Sequence, residues 1–256
     1  MRNYLRAELY RNFHRKSLWV TMGSVIACIL IGILCFQYMN TRIPATEVKI
    51  GLEMVFIAGI IALMPYVYLM LVFTDISIGE EIKNNTIKNI ISSGLSRGKI
   101  YVCKVIEASI FMILCSVATL VSTIVFGYLI LGIQQEELFS TMSVEFIKRG
   151  SVAILIYMGA IALGSLLALI IKQGTVASLM YIFLFLFLGK LFGLLGTFIH
   201  PIFTKMKPYL LSSQISLICQ EQGVANSDII MAGVIGIIYA VVLTIIGVIV
   251  IRKKDI

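Results

Sequence analysis

The stretch from Gly79 to Lys104, GEEIKNNTIKNIISSGLSRGKIYVCK, contains most of the consecutive polar residues of the chain. Three kinds of chemistry use residues of these types. The pair Glu80-Glu81 suits acid–base or metal-assisted hydrolysis, and Gly94 and Gly98 beside Lys99 suit a phosphate loop. The spaced lysines suit an anionic partner. The spacing of the residues decides among these possibilities.

The glutamate pair lacks the partners that hydrolysis needs. Intramembrane proteases with such a pair carry an arginine four residues after the second glutamate, and this chain has Asn85 there. The two histidines, His14 and His200, lie in the basic N-terminal segment and beyond an apolar run, too far to join the pair. A catalytic or metal centre needs its groups within hydrogen-bond reach. We therefore expect no enzyme active site and no metal site in this chain.

The glycine–lysine pattern also fails as a nucleotide site. A Walker A loop has four residues between its glycines and a Ser or Thr after its lysine. Here three residues separate Gly94 from Gly98, and Ile100 follows Lys99. We expect no ATP or magnesium cofactor in this chain.

The composition indicates a polytopic membrane protein. The 256 residues are 59% hydrophobic and 13% charged, with a mean hydropathy of +1.00. A soluble domain has about 25% charged residues. The net charge of +8 comes from basic residues beside the apolar runs, which favours topology and lipid headgroup contact over nucleic acid.

Six apolar runs are long enough to cross a bilayer about 30 Å thick. They predict an all-α fold that forms one membrane domain over residues 1–256, with connections too short for a soluble domain. The predicted spans are 18–39, 52–73, 105–133, 151–171, 176–199 and 229–251.

The distribution of Lys and Arg predicts the orientation. With the N-terminus inside, the cytoplasmic segments hold fourteen basic residues and the outer loops hold six. Basic residues favour the cytoplasmic side, so both termini and loop 75–104 are predicted to be cytoplasmic. Segment 1–17 places Leu5, Leu9 and Phe13 four residues apart, which favours an amphipathic helix on the inner membrane surface. A basic tail that only fixes topology is the alternative.

Loop 75–104 is predicted to contain a short helix with one apolar face. Ile87, Ile90 and Ile91 have helical spacing, Gly94 can end this helix, and Ser96 can cap the next one. Such a face needs a cover, either membrane or another protein.

Loop 75–104 follows a recognisable pattern after the second span. The residues that match it are Glu80 or Glu81, Thr86, Lys88, Ile91, Ser92, Gly94, Ser96, Arg97, Ile100, Tyr101 and Lys104. With this loop and the topology, the chain resembles the permease subunit of a type-2 ABC exporter, in the group of peptide-antibiotic resistance, lantibiotic immunity and sodium-efflux permeases. Many relatives have Gly where this chain has Asn85, and many have Pro where it has Gly94, a position at which the pattern accepts Gly or Pro.

The resemblance implies that the loop forms a coupling helix seated in a separate ATPase subunit, which holds ATP and magnesium. It also implies that the chain works as a dimer, with a second copy or a homologous permease, and binds two copies of the ATPase. The implied location is the bacterial cytoplasmic membrane. The residues assigned to ATPase coupling are Glu80, Glu81, Lys83, Thr86, Ile87, Lys88, Ile90, Ile91, Arg97 and Lys99.

Lys190 is the one full charge well inside a predicted span, about 21 Å from its start at Val176. An intramembrane charge is a functional candidate, although a lysine here can also snorkel to the outer interface. Gly189, Gly193 and Gly196 follow a rhythm that permits close helix approach, either in a dimer seam along the path or within one subunit.

Pro65, beside Tyr66, is expected to kink the second span and is a further candidate for the transport path. Four hydroxyls on one face of the third span, Ser109, Ser116, Thr119 and Thr123, are expected to make interhelical hydrogen bonds. The outer connection 200–228 is predicted to hold a short helix, either re-entrant or lying flat.

The predominantly apolar spans favour a hydrophobic or amphipathic cargo, such as an antimicrobial peptide or a lipid-like molecule. The alternative function is a membrane protein that needs no ATPase, such as an immunity factor or a channel.

Overall fold

The computed structural model describes residues 2–42, 49–79, 95–171, 173–220 and 224–253. Within these ranges every regular element is helical, and six helices are long and apolar enough to cross a membrane, as the sequence predicts. The helices are α1 Arg2–Phe13, α2 Lys16–Asn40, α3 Leu52–Tyr66, α4 Met70–Thr74, α5 Arg97–Ile130, α6 Glu136–Ile170, α7 Gly174–Phe198, α8 Ile202–Met206, α9 Leu211–Ile218 and α10 Asn226–Lys253.

The second span is continuous over Leu52–Gly79 but is not a uniform α-helix. A 3-10 turn, Val67–Leu69, joins α3 to α4, and a π-helical turn, Asp75–Gly79, follows α4. The other spans are α2, α5, α6, α7 and α10.

The third and fourth spans begin earlier than their apolar runs. Helix α5 starts at Arg97 with Ser96 at its N-cap position, where the Ser96 side chain makes no capping hydrogen bond. Helix α6 starts at Glu136, so Lys148 and Arg149, which the sequence places in an outer loop, lie within it. Both residues pair with Glu145, one turn earlier on the same helix. Nζ of Lys148 lies 3.1 Å from Oε1 of Glu145, and Nε of Arg149 lies 2.8 Å from Oε2.

Helix α6 is the central helix of the bundle, and its most extensive packing is against α10. The two backbones approach closely where Gly159 faces Gly236. A Cβ built on Gly159 would lie 2.9 Å from the carbonyl oxygen of Gly236, and one on Gly236 would lie 2.7 Å from that of Leu155. Glycine is needed at this crossing because a side chain would meet backbone.

Helix α1 packs against α5 through a face that is partly polar. Glu8 and Asn12 are buried, Leu5 and Leu9 are half-buried, and Phe13 is exposed. The apolar stripe predicted from spacing therefore supplies only part of the packed face. The location of α1 at the membrane surface and the cytoplasmic side of both termini stay predictions.

Candidate functional site

The second span changes its helical geometry after Pro65. Val67 donates its backbone N–H to Met64 rather than to Leu63, as the tighter 3-10 turn requires. The carbonyl of Leu63 instead accepts a 2.6 Å hydrogen bond from the Tyr157 hydroxyl of α6. The carbonyl of Val67 accepts a 3.0 Å bond from the Tyr181 hydroxyl of α7. Spans four and five therefore hold the altered segment in place.

Neither tyrosine was singled out from the sequence. A tyrosine in an apolar run looks like any other core residue, and the Leu63 carbonyl that Tyr157 satisfies becomes free only after the helix has tightened. Pro65 was the available signal, because a proline removes one backbone donor and leaves polar groups nearby to be satisfied.

Pro65 and Tyr66, both candidates for the transport path, line an apolar cavity of about 510 Å³. Its walls are α2, the second span, α5 and α6. The cavity thus lies within one subunit and involves no residue of α7, the span that carries Lys190. The residues that line it are Ser24, Val25, Cys28, Ile29, Gly32, Ile33, Phe36, Val55, Ala58, Gly59, Ala62, Leu63, Pro65, Tyr66, Leu69, Ser116, Thr119, Leu120, Thr123, Phe146, Gly150 and Tyr157.

Three of the four hydroxyls that were expected to bond between helices, those of Ser109, Thr119 and Thr123, donate within α5, and interhelical bonds accepted by these oxygens stay a prediction. Ser109 donates to Val105 at 2.8 Å, and Thr119 donates to the carbonyl of Ser116 at 2.7 Å. Thr123 donates to the carbonyl of Thr119 at 2.8 Å. Backbone acceptors one turn earlier lie within reach of any helical Ser or Thr, so no partner helix is needed.

Three glycines of α7 face the segment from Thr204 to Ser212, which returns along this helix in the same chain. These glycines are Gly189, Gly193 and Gly196. Residue numbers in the segment fall as those in α7 rise, so the segment runs antiparallel to the helix. The spacing of the three glycines allowed either a dimer seam or packing within one subunit, and this contact is packing within one subunit. A dimer seam at the same glycines stays a prediction. A Cβ on Gly189 would lie 3.5 Å from Oγ of Ser212, one on Gly193 3.7 Å from Nζ of Lys207, and one on Gly196 against Thr204.

The returning segment leads into α9, which the sequence predicts as a short helix. Helix α9 contacts α6, α7 and α10, and it buries Leu211, Ile215 and Ile218. Leu211 reaches the α6–α10 crossing, 3.3 Å from a Cβ built on Gly159. The chain therefore re-enters the helical bundle before the sixth span. Its depth in a bilayer stays a prediction.

Arg149 fixes the end of α9 to α6. The residue is 4% exposed, and its Nη1 atom donates to the carbonyls of Ile218, at 3.3 Å, and of Gln220. A cation at a helix C-terminus satisfies carbonyls that have no partner within the helix. Burial raises the pKa of the neighbouring Cys219 thiol to about 12, so this thiol is protonated at neutral pH.

Lys190 is exposed on α7. Its surroundings in the single chain are therefore either lipid or a second subunit, and both the snorkelling and the path interpretations stay predictions.

A buried ionic cluster joins α1 to the beginning of the third span. Nζ of Lys104 lies 2.6 Å from Oε2 of Glu8 and 3.5 Å from Oε2 of Glu107. Arg11 contacts the same Glu8 oxygen at 2.5 Å. Glu8, Lys104 and Glu107 are at most 6% exposed. Buried charges of this kind are retained only when they are paired.

The same cluster reaches the end of the second span. Ser77 Oγ lies 2.8 Å from the carbonyl of Lys104 and 3.1 Å from Oε2 of Glu107. The amide of Asn12 donates to the other oxygen of Glu107. Arg15 donates to the carbonyl of Ile76 at 3.0 Å. We call Glu8, Asn12, Ser77, Lys104 and Glu107 the base cluster, because they join α1 to the end of the second span and to the first three turns of α5.

Two of the ten residues assigned to coupling fall within the described part of the chain. Arg97 is the half-buried first residue of α5, and Lys99 is exposed one turn into it. Gly98 packs against the sixth span, since a Cβ there would lie 3.0 Å from Cγ1 of Val248. The glycine–lysine pair thus belongs to a helix and its packing. Glu80, Glu81, Lys83, Thr86, Ile87, Lys88, Ile90 and Ile91 lie outside the described residues.

Comparison with known proteins identifies the family. No curated protein matches the chain. A family model described as "ABC-2 family transporter protein" matches residues 4–190, a range that includes α1, the first three spans, the fourth span and most of the fifth. Membership implies a membrane subunit of an ABC transporter that is not itself catalytic, with an ABC ATPase as partner. The chain belongs to the ABC-2 family of transporter proteins.

Proposed function

We propose that this chain is the permease of an ATP-driven exporter in the peptide-antibiotic resistance and lantibiotic immunity group. It works as a dimer with two copies of a separate ATPase, and the coupling helix of loop 75–104 docks on that ATPase. Both termini and this loop face the cytoplasm.

The base cluster is the observation that carries the coupling proposal. An ATPase must transmit its closure to the spans as a rigid-body displacement. Ser77 lies at the end of the second span and Lys104 lies two turns into α5, and Glu8 connects Lys104 to α1. Because these contacts are short, buried and charged, a push on the loop would displace α1 and spans two and three together.

The cargo is a hydrophobic or amphipathic molecule, such as an antimicrobial peptide or a lipid-like compound. The apolar spans and the scarcity of ionisable residues within them support this class over small ions. Span α7 leaves a long apolar face exposed in the single chain, and the second permease copy is proposed to pack beside it.

Co-purification with candidate ABC ATPases from the same genome tests the proposal. We expect wild type to retain an ATPase and Ile87→Asp/Ile90→Asp to lose it, because two aspartates remove the apolar face of the coupling helix. Val144→Asp/Ile147→Asp is the matched control, since both side chains are exposed and have the same three-residue spacing on another helix, α6.

Two results would contradict the proposal. If the Ile87/Ile90 variant keeps its ATPase, the coupling-helix assignment is wrong. If wild type binds no ATPase while remaining folded, the ATPase-independent alternative, an immunity factor or a channel, replaces the exporter.

A further inference from the structure

The apolar cavity has its mouth between α2 and the second span. Some of its lining residues are also exposed at the molecular surface: Ser24, Cys28 and Gly32 on α2, and Ala62 and Pro65 on α3. The α2 residues are spaced four apart and so form one stripe. Helix α2 packs along α5 and has few close backbone contacts with α3, which leaves the gap open.

The mouth is continuous with the lipid-facing surface. Ile31 and Leu34 on α2 and Ile61 and Met64 on α3 are exposed beside it, each at least 39%. Both helices are membrane spans, so the solvent outside the mouth is hydrocarbon. Any molecule that enters through this gap comes from the bilayer.

The lining chemistry selects an uncharged, flexible chain. No Asp, Glu, Lys or Arg is among the residues that line the cavity. Thr119 and Thr123 donate their hydroxyl protons to α5 itself. A water molecule needs two to four polar partners, and this cavity offers few. Its volume of about 510 Å³ is in the range of small-molecule sites.

We propose that one acyl chain of a bilayer phospholipid occupies this cavity, entering between α2 and α3. The chain fills the space between α2 and the rest of the subunit, and its headgroup stays outside the mouth. The site belongs to a single subunit and needs neither an ATPase nor a second permease, so it is independent of the proposed function.

A glycine on α2 allows a direct test. A Cβ on Gly32, which lines the cavity, would have no heavy atom within 4 Å, so Gly32→Leu fills the cavity without a clash. Gly23 is equally unobstructed on the same helix but does not line the cavity. Gly23→Leu is therefore the matched control for hydrophobicity and helix propensity.

The purified permease is reconstituted in phosphatidylglycerol vesicles that contain a phospholipid with a photoactivatable diazirine in one acyl chain. We expect the label on cavity residues such as Cys28, Ala62 and Thr119. Gly32→Leu occupies space that the acyl chain would fill, so we expect a loss of label from the cavity residues in this variant and no loss in Gly23→Leu. Equal labelling of wild type and Gly32→Leu would overturn the proposal.

A second measurement covers the case in which Gly32→Leu fails to fold. Alkylation of Cys28 with a long-chain N-alkylmaleimide places a chain at the mouth, whereas Cys35 on the same helix lies outside the lining. We expect modification of Cys28 alone to block photolabelling. If only a photoactivatable amphipathic peptide, and no phospholipid, labels the cavity, the occupant is cargo and the lipid assignment is wrong.

Discussion

Arg149 on the fourth span donates a 2.8 Å hydrogen bond from Nε to Oε2 of Glu145, while its Nη1 atom holds carbonyls at the end of α9. One buried guanidinium thus connects a span to the helix that re-enters the bundle. Arginine suits this position because its planar fork presents several donors in a fixed geometry.

Arg149→Met is expected to release α9. Each charged hydrogen bond contributes about 1.5–3 kcal/mol, so losing the bonds to Ile218 and Gln220 should speed amide exchange in residues 211–220 about tenfold or more. Hydrogen–deuterium exchange of the reconstituted protein measures this change. Lys148→Met is the control, because Lys148 bonds the same Glu145 but no carbonyl of α9. Equal exchange in the two variants would show that Arg149 does not hold the helix.

Lys104→Met is expected to destabilise the protein more than Glu8→Gln. Without Lys104, the buried carboxylate of Glu107 loses its ion pair while Glu8 keeps Arg11, and breaking a buried pair costs ~3–5 kcal/mol. Without Glu8, Lys104 keeps Glu107 at 3.5 Å. Denaturant unfolding in mixed micelles gives the free energies of unfolding. Arg6→Met, on the exposed face of α1, should be close to wild type, and a reversed order of the two variants would contradict the arrangement of charges.

Gly236→Ala is expected to separate α6 from α10. The added Cβ would lie 2.7 Å from the carbonyl oxygen of Leu155 and 2.8 Å from the backbone N of Ile156, so backbone has to move. Overpacking of this kind costs ~1–3 kcal/mol. Gly233→Ala is the milder comparison, because its Cβ meets side chains and no backbone, Cδ1 of Leu155 at 3.1 Å and Cγ1 of Val152 at 3.5 Å. Thermal unfolding in detergent ranks the two variants, and equal melting temperatures would disprove the close crossing.

Cys219 is expected to resist water-soluble maleimides at pH 8. Its pKa of about 12 leaves about a thousandfold less thiolate than an ordinary thiol near 8.5 would have, and thiolate is the reactive form. Labelling should rise about tenfold per pH unit while the protein stays folded. Ser227→Cys, exposed at the start of α10, supplies the reactive reference. Peptide-resolved mass spectrometry compares the two sites. Similar rates at pH 8 would mean that the half-buried position of Cys219 does not suppress its thiolate.

Hydropathy was sufficient to predict the six spans, because an apolar run of bilayer length has few other uses. It located the ends of α5 and α6 poorly. Lys148 and Arg149 look like loop residues until Glu145 is seen to neutralise them one turn earlier. The base cluster was not predicted either, although Lys104 was noted within the loop pattern. Glu8 and Glu107 are 99 residues apart, and no sequence pattern around either residue indicates that they lie close together.

The contact between Glu8 and Lys104 also has a consequence for biogenesis. Glu8 leaves the ribosome early, yet its partner belongs to a helix that is inserted only after two further spans have been made. Until then Glu8 and Asn12 have to stay hydrated, so α1 can dock only after the third span has been made. Helix α1 is thus translated before two spans that take their places in the membrane ahead of it.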